Sequence, residues 1–245
     1  MDFKRVDELH AKLKTLRPLN AGELKRIREE FIIENTYNSN AIEGSTLTLR
    51  ETALILSEGI TIAEKPLKEH LEAIGHKDAF EYILTLAGDS APLSEMIIKD
   101  IHTLVLMNDR ENRGRYRNMG VTIWGAIHTP PQPYLIFSEM ERLVAEYAEM
   151  KSGKHIIEAV AEFHLRFEGI HPFIDGNGRT GRLILNLELI KAGLLPVNIK
   201  FTDRQRYYDC FDAYYGNEHT ADMLTQLIIG CEIEALTRHI EMIEG

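Results

Sequence analysis

Only two cysteines, Cys210 and Cys231, occur in 245 residues, with no CxxC pair and no paired-histidine spacing nearby. That scarcity excludes a disulfide framework and a thiolate-rich metal centre, and it points to a reduced, cytoplasmic setting. Basic charge is also short: 28 Lys and Arg face 38 Asp and Glu, for a net charge of −10. An acidic chain lacks the basic face that nucleic-acid binding needs, so no nucleic acid is expected as a partner. Long apolar runs are missing, and the amino terminus Met1-Asp-Phe-Lys-Arg5 carries no hydrophobic leader segment. Neither a membrane span nor a signal peptide is therefore expected. Internal repeats and low-complexity tracts are absent as well. What is present, 44% hydrophobic and 27% charged residues, suits a globular fold with a sizeable core.

Periodicity reads mostly as helix. Residues 2–16 and 22–43 form two amphipathic segments separated by Arg17-Pro-Leu-Asn-Ala-Gly22, followed by 48–58 and 67–87. Pro92 opens another, over 93–107. The stretch 109–136 breaks the pattern with glycines, Val121-Thr-Ile-Trp124 and Pro130-Pro-Gln-Pro133, which reads as a β-hairpin. Helical spacing resumes over 138–151, 155–170, 179–193, 203–215 and 220–243. The predicted class is all-α with one small β-hairpin.

The densest chemistry lies in His171-Pro-Phe-Ile-Asp-Gly-Asn-Gly-Arg-Thr-Gly-Arg182. Pro172 disfavours helical geometry at His171, so the first helix should end there and present the imidazole at its lip. Gly176 and Gly178 permit positive φ, and a second helix is expected from Arg179. A glycine-bearing turn feeding a helix N-terminus points N–H groups outward, where the dipole favours an anion. Arg179 and Arg182, three apart, share a face and suit bidentate phosphate contacts. Asp175 adds the hard oxygen that Mg²⁺ prefers alongside substrate phosphates. His171 is the natural general base. Together these parts describe phosphate-anhydride chemistry in which phosphates are positioned and an incoming hydroxyl is deprotonated.

The run resembles the signature of the Fic family, HxFx[D/E]GNGRxxR, at His171, Phe173, Asp175, Gly176, Asn177, Gly178, Arg179 and Arg182. The resemblance covers roughly residues 93 to 231, with 1–92 as the family's amino-terminal helices and 232–245 as the end of the last helix. It implies transfer of AMP from ATP to a Tyr, Ser or Thr hydroxyl of a target protein, with self-modification as one outcome. By the same resemblance His171 is the base, Asp175 holds Mg²⁺, and the stretch from Gly176 through Thr180 and Gly181 to Arg182 holds the triphosphate. Phe173 then anchors the loop in the core. The hairpin, Val121, Thr122, Ile123, Trp124 and Gly125, fits the place of the family's target-docking flap, which pairs main chain with the target. The ordinary alternative is a hairpin whose Trp124 packs on the core. Tyr207 and Tyr215, eight apart, are placed by the resemblance beside the adenine, although an Asn is frequent at the second position. His102, His128 and His164 read as structural histidines.

Upstream, Ser39-Asn-Ala-Ile-Glu43-Gly44 places Ser39 and Glu43 on one helical face, before a helix-ending glycine. It resembles the family's inhibitory sequence [S/T]xxxE[G/N], in a helix spanning about 22–44. The resemblance implies that Glu43 pairs with Arg182, competes with the γ-phosphate, and is steadied by Ser39. A homo-oligomer is compatible with all of this. Two other readings use the same pocket: a nucleotide-sensing module without transferase activity, and a hydrolase that removes AMP.

Overall fold

Side-chain caps fix where several helices begin. Asn20 accepts from the N–H groups of Gly22 and Glu23 while Glu23 reaches back to Asn20, a capping box that opens α2 (Ala21–Ile42). Thr48 and Glu51 repeat the device for α3 (Leu49–Glu58), and Asp2 caps α1 (Phe3–Thr15). The computed structural model describes residues 1–89, 91–216 and 219–244. The remaining helices are α4 (Leu67–Ala87), α5 (Glu95–Val105), α6 (Ile136–Gly153), α7 (Ile156–Ile170), α8 (Asn177–Lys191), α9 (Arg204–Tyr215) and α10 (Asp222–Glu244). Ser94, rather than Pro92, caps α5, its hydroxyl accepting from the Ile97 N–H.

Helix α8 is the axis of the molecule. Its Leu183, Ile184, Leu185, Leu187 and Leu189 are all buried, on both faces, as befits a helix with neighbours on every side. α4, α5 and α7 pack around it, and α2 crosses near its start. α7 is sandwiched in turn by α6, α8 and α10, and α1 lies along α10. One continuous apolar cluster runs through these helices, with Phe80, Ile98, Phe163, Phe167, Phe173, Leu183 and Tyr207 among its members. Among the described residues no helix is long and apolar enough to cross a membrane.

The predicted β-hairpin does not form. Among the described residues the segment 118–132 contains no strand, only irregular chain with a turn in which the Ala126 N–H donates to the Ile123 carbonyl. Pro130, Pro131 and Pro133 cannot donate to a ladder, and a lone two-stranded ribbon is marginal without such pairing. Arg117 closes the loop instead. Its buried guanidinium donates to the carbonyls of Met119 at 2.8 Å, Pro131 at 2.7 Å and His171 at 2.7 Å. Trp124 is 95% exposed, so it does not pack on the core.

Candidate active site

The α7–α8 connection is built by its own side chains. α7 ends when His171 turns to φ 51°, its N–H donating to the Phe167 carbonyl. This is a left-handed helix cap in which a non-glycine residue carries the strain, a cost tolerated at functional positions. Asn177 spans the turn with both ends of its amide: Oδ1 accepts from the Phe173 N–H and Nδ2 donates to the Phe173 carbonyl, each at 2.9 Å. Phe173 is fully buried and stacks on His102 at 3.6 Å between ring centres. His102 Nδ1 accepts from the Gly114 N–H, and its Nε2–H donates to the Asp175 carbonyl at 2.9 Å. Burial pushes the His102 imidazole down to about 4, so it is neutral near pH 7.

Gly176 caps α8 at φ 77° with no side chain satisfying the helix's leading N–H groups. Such an end is an anion site by its dipole and its free donors. The Glu43 carboxylate lies against it. A Cβ on Gly178 would stand 2.2 Å from Glu43 Oε1 and 3.0 Å from an Arg182 nitrogen, so only glycine admits that approach. Arg182 is 5% exposed and fully engaged: its Nη2 donates to Glu43 Oε1 at 2.7 Å and to the Ser39 carbonyl at 2.8 Å, its Nε to Ser39 Oγ at 3.1 Å, and its Nη1 to Tyr207 Oη at 3.4 Å. Burial alone would lower the Arg182 pKa, but Glu43 and Tyr207 raise it above its ordinary value.

His171 stands beside this pair. Its Nδ1 faces the Glu168 main-chain carbonyl at 3.4 Å and the Glu168 carboxyl at 4.0 Å. Burial pushes the His171 imidazole down to about 4, leaving it neutral and able to accept a proton near pH 7. Asp175 is half exposed at the mouth, with Lys68 Nζ 3.4 Å and Arg179 Nη2 3.4 Å from its two oxygens. Burial raises the Asp175 carboxyl, yet Arg179, Lys68 and the Gly176 N–H together bring it below its ordinary value. Among the described residues no cluster of three or more His, Cys, Asp or Glu forms a metal cage. A single ionised, accessible carboxylate beside an anion-binding helix end fits Mg²⁺, which takes few protein ligands and shares its shell with phosphates.

A family model described as the Fic/DOC family matches residues 92–189. A crystal structure of a Fic-domain-containing signalling protein from Bacteroides thetaiotaomicron is 30% identical, aligns over 98% of this chain and 97% of its own, and has a TM-score of 0.89. The chain belongs to the Fic/DOC family. The Fic-1 structure from C. elegans is 28% identical, with 98% of this chain and 71% of that one covered at a TM-score of 0.86. A protein named "Protein adenylyltransferase Fic" from Nematostella vectensis is 35% identical over 218 residues, 85% of this chain and 50% of that protein. The chain thus spans about half the length of the curated relatives it matches.

Within this Fic fold the motif residues named from sequence converge, though not all in the expected posture. Gly178 does not use a positive φ; it lies inside α8, which starts at Asn177, and its small size serves the Glu43 contact instead. The Asn177 amide is spent on Phe173, leaving only its main chain toward a ligand. Arg179 points inward, 3.1 Å from Glu72 on α4. Thr180 and Gly181 are buried beneath the turn. Ser39 bonds to Arg182 rather than to Glu43, a correction to its expected role as a prop for the carboxylate. Tyr207 is 2% exposed, its hydroxyl 2.7 Å from His164 Nε2, so it offers no face to an adenine here. Its neighbour Tyr208 is the part-exposed one. Tyr215 is wedged over Gly169, donates to the Leu165 carbonyl and stacks on His128. Lys68 and Glu72 carried no signal in the sequence; Arg117 stood out only as one of a cluster with Arg110, Arg113 and Arg115, a basic patch beside the phosphate site, whereas its guanidinium holds main-chain carbonyls.

Proposed function

We propose that this chain is a self-inhibited protein adenylyltransferase that moves AMP from ATP to a Tyr, Ser or Thr hydroxyl of a target protein. The observation that carries the reading is the Glu43–Arg182 ion pair at 2.7 Å, seated over the N-terminus of α8. An anion already rests where a nucleotide's terminal phosphate would compete for the same guanidinium and the same helix end. Curated relatives named as adenylyltransferases support the activity. Two free thiols support a cytoplasmic setting.

In this mechanism the leading N–H groups of α8 bind the triphosphate, and Asp175 holds Mg²⁺. The bound metal supplies charge neutralisation of the phosphate oxygens. His171, neutral with its Nδ1 turned toward Glu168, takes the target hydroxyl's proton at Nε2. The hydroxyl oxygen bonds to the α-phosphorus as the bond to pyrophosphate breaks. With Glu43 docked, Arg182 cannot reach the γ-phosphate, so the α-phosphorus is out of line; misplacement by about 1 Å costs on the order of 100-fold in rate. The exposed loop around Trp124 is the surface proposed to dock the target. Incubation of the Glu43→Gly protein with α-labelled ATP and Mg²⁺ tests the activity: label is expected on protein and should vanish when His171→Ala is added to it. Equal labelling of the two proteins would overturn the reading.

A further inference from the structure

A second buried carboxyl faces the candidate base, and neither composition nor the motif pointed to it. Glu168 sits on α7 one turn before His171, is almost wholly enclosed, and has Oε2 4.0 Å from His171 Nδ1. Its Oε1 has no hydrogen-bond partner among the described residues, an expensive arrangement for a carboxyl of purely structural purpose. The facing helix makes room for it. At Gly181 of α8 a Cβ would meet Glu168 Oε1 at 2.7 Å and His164 Nδ1 at 3.0 Å. The ionisable groups around it are His164 and His171 on its own side, Arg182 on α8, Tyr207 on α9 and Glu43 from α2.

We propose that Glu168 is a positioning residue for His171: its carboxylate closes on Nδ1–H as Nε2 takes the hydroxyl proton, fixing the tautomer and holding the imidazolium. This rests on the adenylyltransferase reading. No bond forms to Glu168, and the transferred proton stays on Nε2 until His171 releases it to solvent. Glu43 opposes the role. Burial first, and the Glu43 charge second, push the Glu168 carboxyl up to about 8, so it is neutral while Glu43 is docked. Withdrawal of Glu43 removes one of those two causes and favours the carboxylate behind His171.

The test uses the full chain in a Glu43→Gly background. Glu168→Gln keeps the shape without the charge, and Glu168→Met removes the polar group. Gly181→Ala leaves the charge and displaces the carboxyl. All three should lower kcat by about 10- to 100-fold, Gln least. Mg²⁺·ATP affinity by calorimetry should stay within about twofold, which sets the loss apart from damage to the cradle. Imidazole ¹⁵N spectra of His171 should show mainly the Nδ1–H tautomer in the background protein, with a larger Nε2–H share in Glu168→Met. An unchanged tautomer in Glu168→Met, or unchanged kcat across folded variants, overturns the proposal. If Glu43→Gly itself transfers no AMP, the adenylyltransferase reading fails, while the tautomer measurement still decides the place of Glu168.

Discussion

Arg182 pairs with the Glu43 carboxylate at 2.7 Å and His171 feels the same charge, yet the two should fail differently when removed. His171 holds no phosphate in the proposed mechanism, so His171→Ala should reduce AMP transfer by about 100-fold or more. Mg²⁺·ATP binding by calorimetry should stay nearly constant. Transfer at the parent's rate would remove His171 from the role of base. Asp175→Ala should lower affinity and rate together, because in the proposed mechanism this carboxylate would hold the metal. Equal Mg²⁺·ATP affinity with equal rate would sink that assignment. Arg182→Ala should be inactive even alongside Glu43→Gly, since the guanidinium serves both the closed and the productive state. Most of these residues were legible in the sequence because a local motif fixes both identity and spacing. Glu72 and Lys68 were not, because their partners lie more than a hundred residues away on α8 and its preceding turn. Tyr207 was misjudged for a related reason. Spacing places a tyrosine on a helical face, but only packing decides whether that face meets a nucleotide or, as here, His164 and Arg182.

The helices emerge from sequence to within about two residues at most ends, since caps and apolar periodicity are local signals. The start of α8 shows what sets a two-residue difference. Arg179 looked like the first helical residue, but Asn177 already lies in α8, its amide clasping Phe173 across the turn. The loop 118–132 was beyond reach for the opposite reason: glycines and Val121-Thr-Ile-Trp124 suggested strands, while the prolines and one buried arginine decide its path. Arg117→Met should therefore strand several main-chain carbonyls at once. A loss of about 2–4 kcal/mol in unfolding free energy is expected, with faster proteolytic cleavage between residues 119 and 132. Parent-like stability and cleavage would mean the loop is held elsewhere. At the end of α2, Ser39→Ala should loosen Arg182 directly, because the hydroxyl accepts from its Nε. A small rise in transfer is expected, well below that of Glu43→Gly.

Across the whole molecule, the four histidines lowered furthest are His76 and His164, to about 3, and His102 and His171, to about 4, in each case chiefly by burial. Their contribution to stability is full above the unfolded value near 6.5 and is lost as pH falls toward their folded values. Glu168 and Glu232, raised by burial to about 8 and about 7, act in the opposite sense. Four groups outweigh two, so the melting temperature should drop between pH 7 and pH 5, with unfolding at pH 5 taking up roughly two protons net. A flat profile over that range would contradict the neutral-histidine core. The Glu43–Arg182 pair also belongs to this scale, because it joins α2 to α8 across 139 residues of chain, and only the assembled bundle brings the two together. The most direct test compares the parent with Glu43→Gly, side by side, with α-labelled ATP and Mg²⁺. Glu43→Gly should incorporate label at least about 10-fold faster, with ATP affinity changed much less. Equal, low incorporation in the two proteins would contradict the account.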